Sequence, residues 1–215
     1  MLGGYGLCWL VNESPHPCER FSVSSAEWHA LLAGAELVLH SHPGGALFPS
    51  LRDQQQQLAT RVPWYIKPAG ADGFFFGDGS PKRQLIGRGY RFAVDDCFSV
   101  VRDALAQLRD IHVRNMPREW DTFSQGFPYF DSQFEQIGME CVAESVQEAK
   151  VGDCFIFQIH ADTFNHCGYC WAPGVMLHHP SAPVPYSPTW LSRRERLERW
   201  ASTPVKVLRF RHGRG

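Results

Sequence analysis

The stretch "DDCFSVVRDALAQLRDIHV", residues 95–113, sets Phe98, Val101, Leu105 and Leu108 at helical spacing behind two aspartates and a cysteine. It predicts a helix that opens at Cys97. The unpaired amides and the macrodipole of a helix start favour a thiolate, the nucleophilic form of the residue. A cysteine on an apolar helix also reads as a small buried hydrophobe, so the nucleophile reading needs a histidine from elsewhere in the chain.

Two downstream segments provide one. "DCFIFQI" (153–159) brings Phe155, Phe157 and Ile159 to one face at period two, and "NHCGYCWAPGVMLHH" (165–179) is two short apolar runs joined by a Pro-Gly turn. A small antiparallel sheet follows, with His166 and His178 on neighbouring strands, where His178 can hydrogen-bond the ring of His166 and fix its tautomer. Cys167 and Cys170, three apart, face opposite sides of their strand and have no second such pair, so they are read as core or edge residues. His179 faces away from His178 and is expected at the surface. "SPTWLSRRERLERWAS" (187–202) reads as a charged helix and "PVKVLRFRH" (204–212) as a last strand.

Upstream, "GLCWLV" (6–11) and "AELVLHSH" (35–42) alternate as strands. "SSAEWHALLAG" (24–34) reads as a short helix capped by serine and closed by glycine, and "PSLRDQQQQLA" (49–59) as a second helix. The glycine-, proline- and aromatic-rich run over 62–92 carries turn signals and places a boundary near residues 80 to 88, giving domains of 1–82 and 83–215. The fold class is α+β: a mixed sheet with flanking helices first, then a domain with a small antiparallel sheet.

Composition narrows the partners. With 215 residues, 44% hydrophobic and 13% aromatic, the chain can build a sizeable core. Lys plus Arg is 21 against 22 for Asp plus Glu, so no net basic field draws it to nucleic acid or an anionic membrane. No apolar run approaches the ~20 residues that span a bilayer, and the start lacks the basic segment of a secretion signal. Seven scattered cysteines argue against a disulfide framework and suit synthesis in a reducing cytoplasm.

A second constellation lies in "HSHPGGALFPSLRD", residues 40–53. On a strand, His40 and His42 point to one face, and the glycine-rich turn can bring Asp53 back over them. Two nitrogens and a carboxylate oxygen make a zinc set with a fourth position open for water, whose pKa zinc lowers to about 7. The same Ser50-x-x-Asp53 spacing is also a helix capping box, a purely structural reading that stands beside the metal reading.

His-x-His, seven residues, then Ser-x-x-Asp resembles the hallmark of the JAMM (MPN-plus) metallopeptidases. That resemblance implies zinc on His40, His42 and Asp53, with Ser50 supporting the bound water or oxyanion. The family's general-base glutamate stands in a Glu-x-x-Gly segment, whereas this chain has "GGYG", with Gly3 at that place. Glu36 shares the histidines' face but stands four strand residues, roughly 13 Å, from His40. Peptidase chemistry at this site is therefore expected to be impaired or lost.

From about Gly87 onward, the segments "DDCFSVVRDAL", "VGDCFIFQI", "NHCGYC" and "MLHHPS" resemble the NlpC-type papain-like cysteine peptidases, which cleave peptidoglycan stem peptides. The resemblance implies a nucleophile at Cys97, a base at His166 and an orienting residue at His178, twelve positions on. Tyr90 matches the family's substrate-side tyrosine loosely, because the loop before Cys97 is short. The two modules in succession resemble tail assembly proteins of long-tailed phages. That resemblance implies synthesis in the host cytoplasm, a place at the virion's tail tip, other tail-tip proteins as partners and a stem peptide as substrate. A processing protease acting on a tail protein, and a non-catalytic assembly component, are the alternatives.

Overall fold

The computed structural model describes residues 6–18, 21–121 and 128–211. It divides into two compact units, one of residues up to 47 with 57–80, the other of 48–56 with 81–215.

The first unit contains α1 (Ser25–Leu32), β1 (Val38–His42), β2 (Trp64–Pro68), β3 (Phe74–Phe76) and the end of α2 (Leu51–Thr60). The sheet runs β1-β2-β3, with β1 parallel to β2 and β3 antiparallel to it, the expected mixed sheet. Strand β2 alternates as a half-buried strand should: Trp64 and Ile66 are fully buried, and the Trp64 ring packs on Trp28 and Phe76. Ser24 holds the N-cap position of α1 without making a side-chain cap bond. The strand expected over 6–11 does not form: this segment is irregular, with Leu7, Trp9 and Val11 exposed. Alternation alone does not make a strand when no neighbouring edge pairs with it.

The second unit adds β4 (Gly89–Arg91), α3 (Cys97–Arg109), α4 (Tyr129–Gln136), β5 (Met139–Ala143), β6 (Cys154–Phe157), β7 (His166–Ala172), β8 (Val175–His178), β9 (Tyr186–Leu191), β10 (Arg193–Arg196) and β11 (Val205–Phe210). Six of the strands form one antiparallel sheet in the order β10-β8-β7-β6-β11-β5, and β4 pairs with β9. Period-two alternation sorts the sheet's side chains into two cores. Cys154, Ile156, Cys167, Tyr169 and Leu177 join Phe98, Val101 and Leu105 of α3. Phe155, Phe157, Cys170 and Met176 pack with Leu197, Val205 and Val207. The α+β class is therefore observed, with a mixed and an antiparallel sheet.

The charged helix expected over 187–202 is instead strand β9, strand β10 and a 3₁₀ turn, Leu197–Trp200. Ser187-Pro188 is compatible with a helix start, but the open edge of β8 takes β10 as its partner, Arg193 opposite His178 and Glu195 opposite Met176.

Gly168 on β7 has no room for a side chain beside β8. A Cβ there would lie 2.3 Å from the sulfur of buried Met176 and 3.4 Å from the Leu177 carbonyl oxygen. Gly168→Ala is expected to cost about 1–3 kcal/mol in urea unfolding, the usual range for overpacking. An unchanged midpoint would show that Met176 gives way freely.

Candidate functional site

The geometry around Cys97 is set by a capped helix start. Asp96 is the N-cap of α3, and its Oδ1 accepts from Ser99 N at 3.0 Å and Ser99 Oγ at 2.9 Å. Its Oδ2 accepts from Ala93 N at 2.8 Å, across a turn that holds Ala93 at a φ of 61°. Arg118 clamps the same carboxylate, with Nε 2.9 Å from Oδ2 and Nη2 2.8 Å from Oδ1, and both side chains are buried. Burial alone raises the Asp96 pKa, and the Arg118 charge with the bonds from Ser99 and Ala93 more than reverses it, so the carboxyl lies below its ordinary value.

Cys97, 8% exposed, is the first helical residue. A hydrogen bond from the Cys167 thiol is the largest influence on it, burial opposes that influence, and His166 adds to it; the Cys97 thiol is held well below the ordinary value. Cys167 is pushed the other way, by burial first. It is a core residue, as expected.

His178 pairs with Gly168 across the bulged hairpin, and His166, two residues before that glycine, reaches it diagonally: His166 Nε2 lies 2.9 Å from His178 Nδ1, with the rings edge to face. The other nitrogen of His166, Nδ1, is buried without a well-formed hydrogen bond, on the ring that favours the Cys97 thiolate. Trp200 stacks on His166, with centroids 5.6 Å apart and planes 10° apart. His178 is 1% exposed; burial, then His166, Arg193 and His179, push its pKa down to about 2, which keeps the ring neutral. Cys97, His166 and His178 are thus all buried, and the two rings are joined by the 2.9 Å contact.

Tyr90 is buried on β4, its ring 5.1 Å from that of His179, and burial with the charges of Asp96 and Cys97 raises its pKa. His179 is not at the surface. It is fully buried, its Nε2 3.0 Å from the Arg88 carbonyl oxygen and its Nδ1 3.2 Å from that of Pro180. A backbone carbonyl that accepts the single N–H of the neutral ring makes its burial tolerable, a compensation that alternation on β8 does not reveal.

In the first unit, His40 and His42 share a face of β1, their rings 5.1 Å apart. His42 Nδ1 donates to the Ala46 carbonyl oxygen at 2.9 Å, which leaves the lone pair of the ring on Nε2. Asp53 lies in the first turn of α2 and completes the capping box: Ser50 N and Oγ donate to Asp53 Oδ2 at 2.8 and 2.7 Å, and Asp53 N donates to Ser50 Oγ at 3.1 Å. His40, His42 and Asp53 together are a group that can hold a metal ion, and two imidazoles with a carboxylate suit zinc. Gly3 lies outside the described residues. Glu36 is exposed and precedes β1.

Sequence reasoning missed three groups at the cysteine site. Arg118 and Trp200 carry no local motif. Glu195, assigned to a helix, sits on β10 with Oε2 3.4 Å from His178 Nε2. The period-two placement of Arg193 and Glu195 was the available signal.

No family model matches the chain. It is 26% identical to tail tip assembly protein K of Escherichia phage N15, over 95% of this chain and 82% of that protein. It is 28% identical to tail tip assembly protein K of Escherichia phage lambda, over 88% and 89%. Its similarity to the NlpC/p60 domain of the peptidoglycan hydrolase SagA has a TM-score of 0.34 at 18% identity, over 57% of this chain and 88% of that one. The chain resembles tail tip assembly protein K of lambda-like phages along nearly its whole length.

Proposed function

We propose that this chain is a phage tail-tip component carrying a cysteine peptidase that opens peptidoglycan stem peptides, in tail assembly or host cell-wall penetration. Residues 83–215 would form the peptidase and 1–82 a zinc-binding module. The tail-tip role is supported by the two relatives, each matched over more than four-fifths of its length. The activity rests on one arrangement: Cys97 at the capped start of α3, with His166, which favours its thiolate, holding a buried second histidine at 2.9 Å.

In the reaction the Cys97 sulfur attacks the carbonyl carbon of a stem-peptide amide, its proton having passed to His166. His166 then protonates the leaving amine nitrogen as the C–N bond breaks, and a thioester to Cys97 remains. Water, deprotonated by His166, attacks the thioester carbon and releases the carboxylate and the thiol. His178 stays neutral throughout and orients His166. Tyr90 borders this site and would contact substrate.

Purified muropeptides incubated with the full chain, products identified by mass spectrometry, test the reading. Fragments that are released by the wild type and not by Cys97→Ala support it. Absence of fragments with the wild type favours an assembly component, and cleavage of a tail protein in their place favours a processing protease.

His40, His42 and Asp53 would hold zinc, and Ser50 would support the site through Asp53. A bound zinc ion would supply a Lewis acid. The full chain is expected to bind about one zinc per molecule by elemental analysis after dialysis, and His40→Ala and His42→Ala to bind almost none. Zinc retained by both variants would remove the assignment.

A further inference from the structure

We propose that Glu195 is a positioning residue that sets the proton arrangement of His178, His166 and Cys97 from the His178 end. This rests on reading Cys97 as the nucleophile and His166 as its base. Glu195 reaches His178 because β10 pairs with β8, and its side chain is only 10% exposed. His178 Nε2 is buried, has no well-formed hydrogen bond, and faces Glu195 Oε2 at 3.4 Å. Trp200 and Arg193 donate to that carboxylate, and Arg199 adds a nearby positive charge. Trp200 Nε1 lies 3.2 Å from Oε2, and Arg193 Nε and Nη2 lie 2.8 and 2.7 Å from Oε1, with Arg199 Nη1 at 3.6 Å.

The consequence is a fixed sequence of donors and acceptors. A carboxylate only accepts, so it selects the His178 tautomer with its proton on Nε2. The Nδ1 of that neutral ring is then an acceptor, and His166 must donate to it from Nε2. His166 is left with its lone pair on Nδ1, toward Cys97, which is the tautomer that can take a thiol proton. The Trp200 ring that donates to Glu195 also stacks on His166, so one carboxylate holds both the tautomer and the wall of the base. A reversed tautomer at His178 would turn His166 round, with its proton facing the sulfur and no lone pair to accept another.

Glu195→Gln keeps the shape and replaces one acceptor with a donor. Whichever way the amide lies, its NH₂ meets either the Arg193 donors or the Trp200 and His178 N–H groups. The cheapest relief is a tautomer change at His178 and His166. Ring ¹⁵N shifts of the full chain at neutral pH are expected to show both His166 and His178 protonated on Nε2 in the wild type, and a mixture in Glu195→Gln. Alkylation of Cys97 by iodoacetamide, followed by peptide mass mapping, is expected to slow about 10- to 100-fold in the variant. Glu195→Asp, which keeps the acceptor, should recover part of that rate. Neither measurement uses peptidoglycan, so a wild type that cleaves no muropeptide but shows these shifts defeats the proposed function alone. A wild-type His178 protonated on Nδ1, or a folded Glu195→Gln with unchanged shifts and unchanged alkylation, overturns the proposal. The wild-type spectrum decides it even if the variant fails to fold.

Discussion

Cys97→Ala is expected to lower stem-peptide cleavage at least about 10⁴-fold, leaving products indistinguishable from those of buffer. The magnitude follows from what remains without the sulfur. A neutral base and its orienting ring can only deprotonate water, and no covalent intermediate divides the difficult step in two. His166→Ala should fall to a similar level, and the double variant no further, because nucleophile and base act as one unit. His178→Ala should retain more activity, about 10²-fold below wild type, since the ring orients the base without touching substrate. Cys141→Ala, which removes an exposed thiol, should cleave like the wild type. The pH profile adds a directional test. The lowered Cys97 thiol carries the rate to pH values below the ordinary thiol pKa, whereas His178, titrating at about 2, adds no limb near neutrality. Cleavage retained by Cys97→Ala and lost in His40→Ala would move the chemistry to the metal group, contrary to the expectation drawn from Gly3.

Local signals carried much of this site, and their physical reach explains both the successes and the failures. Cys97 was legible because the Asp96 cap and the helical period of Phe98, Val101 and Leu105 lie within one short segment. His166 and His178 were legible through the family's spacing and not through the turn, because a bulge after Cys170 shifts the hairpin register and puts Gly168 opposite His178. Ser50 and Asp53 were legible twice over, since the capping box and the metal reading need the same spacing, and the box is observed. Glu195 was not legible, because an Arg- and Glu-rich run supports helical i,i+4 pairing until an open sheet edge competes for it. His179 was misplaced for a related reason: alternation gives the face of a residue and not what covers that face. Arg118 had no local signal at all. Its partner Asp96 is twenty-two residues away, and only the folded chain brings the two charges together.

That ion pair is expected to carry a large share of the stability. Arg118→Met is expected to destabilise the chain by about 3–5 kcal/mol, because it leaves the Asp96 charge buried with no counter-ion. For a protein whose total stability is on the order of 5–15 kcal/mol, this is a large fraction. Replacing the charge as well should recover part of the loss. Asp96→Asn keeps a carbonyl oxygen for Ser99 N, so the double variant should be more stable than Arg118→Met alone, though Ala93 N and the amide NH₂ then compete as donors. The pH dependence should reverse sign. In the wild type the Asp96 pKa is depressed on folding, so its contribution is present above the unfolded value of about 3.9 and is lost as pH falls through the folded one. Without Arg118, burial raises the folded value above the unfolded one, and the variant should lose stability as pH rises from about 4 toward neutrality. Urea unfolding of the three proteins at about pH 4 and pH 7 separates these slopes. If Arg118→Met unfolds at the wild-type midpoint at neutral pH, water must reach Asp96, and the cap that positions Cys97 is held by Ser99 and Ala93 alone.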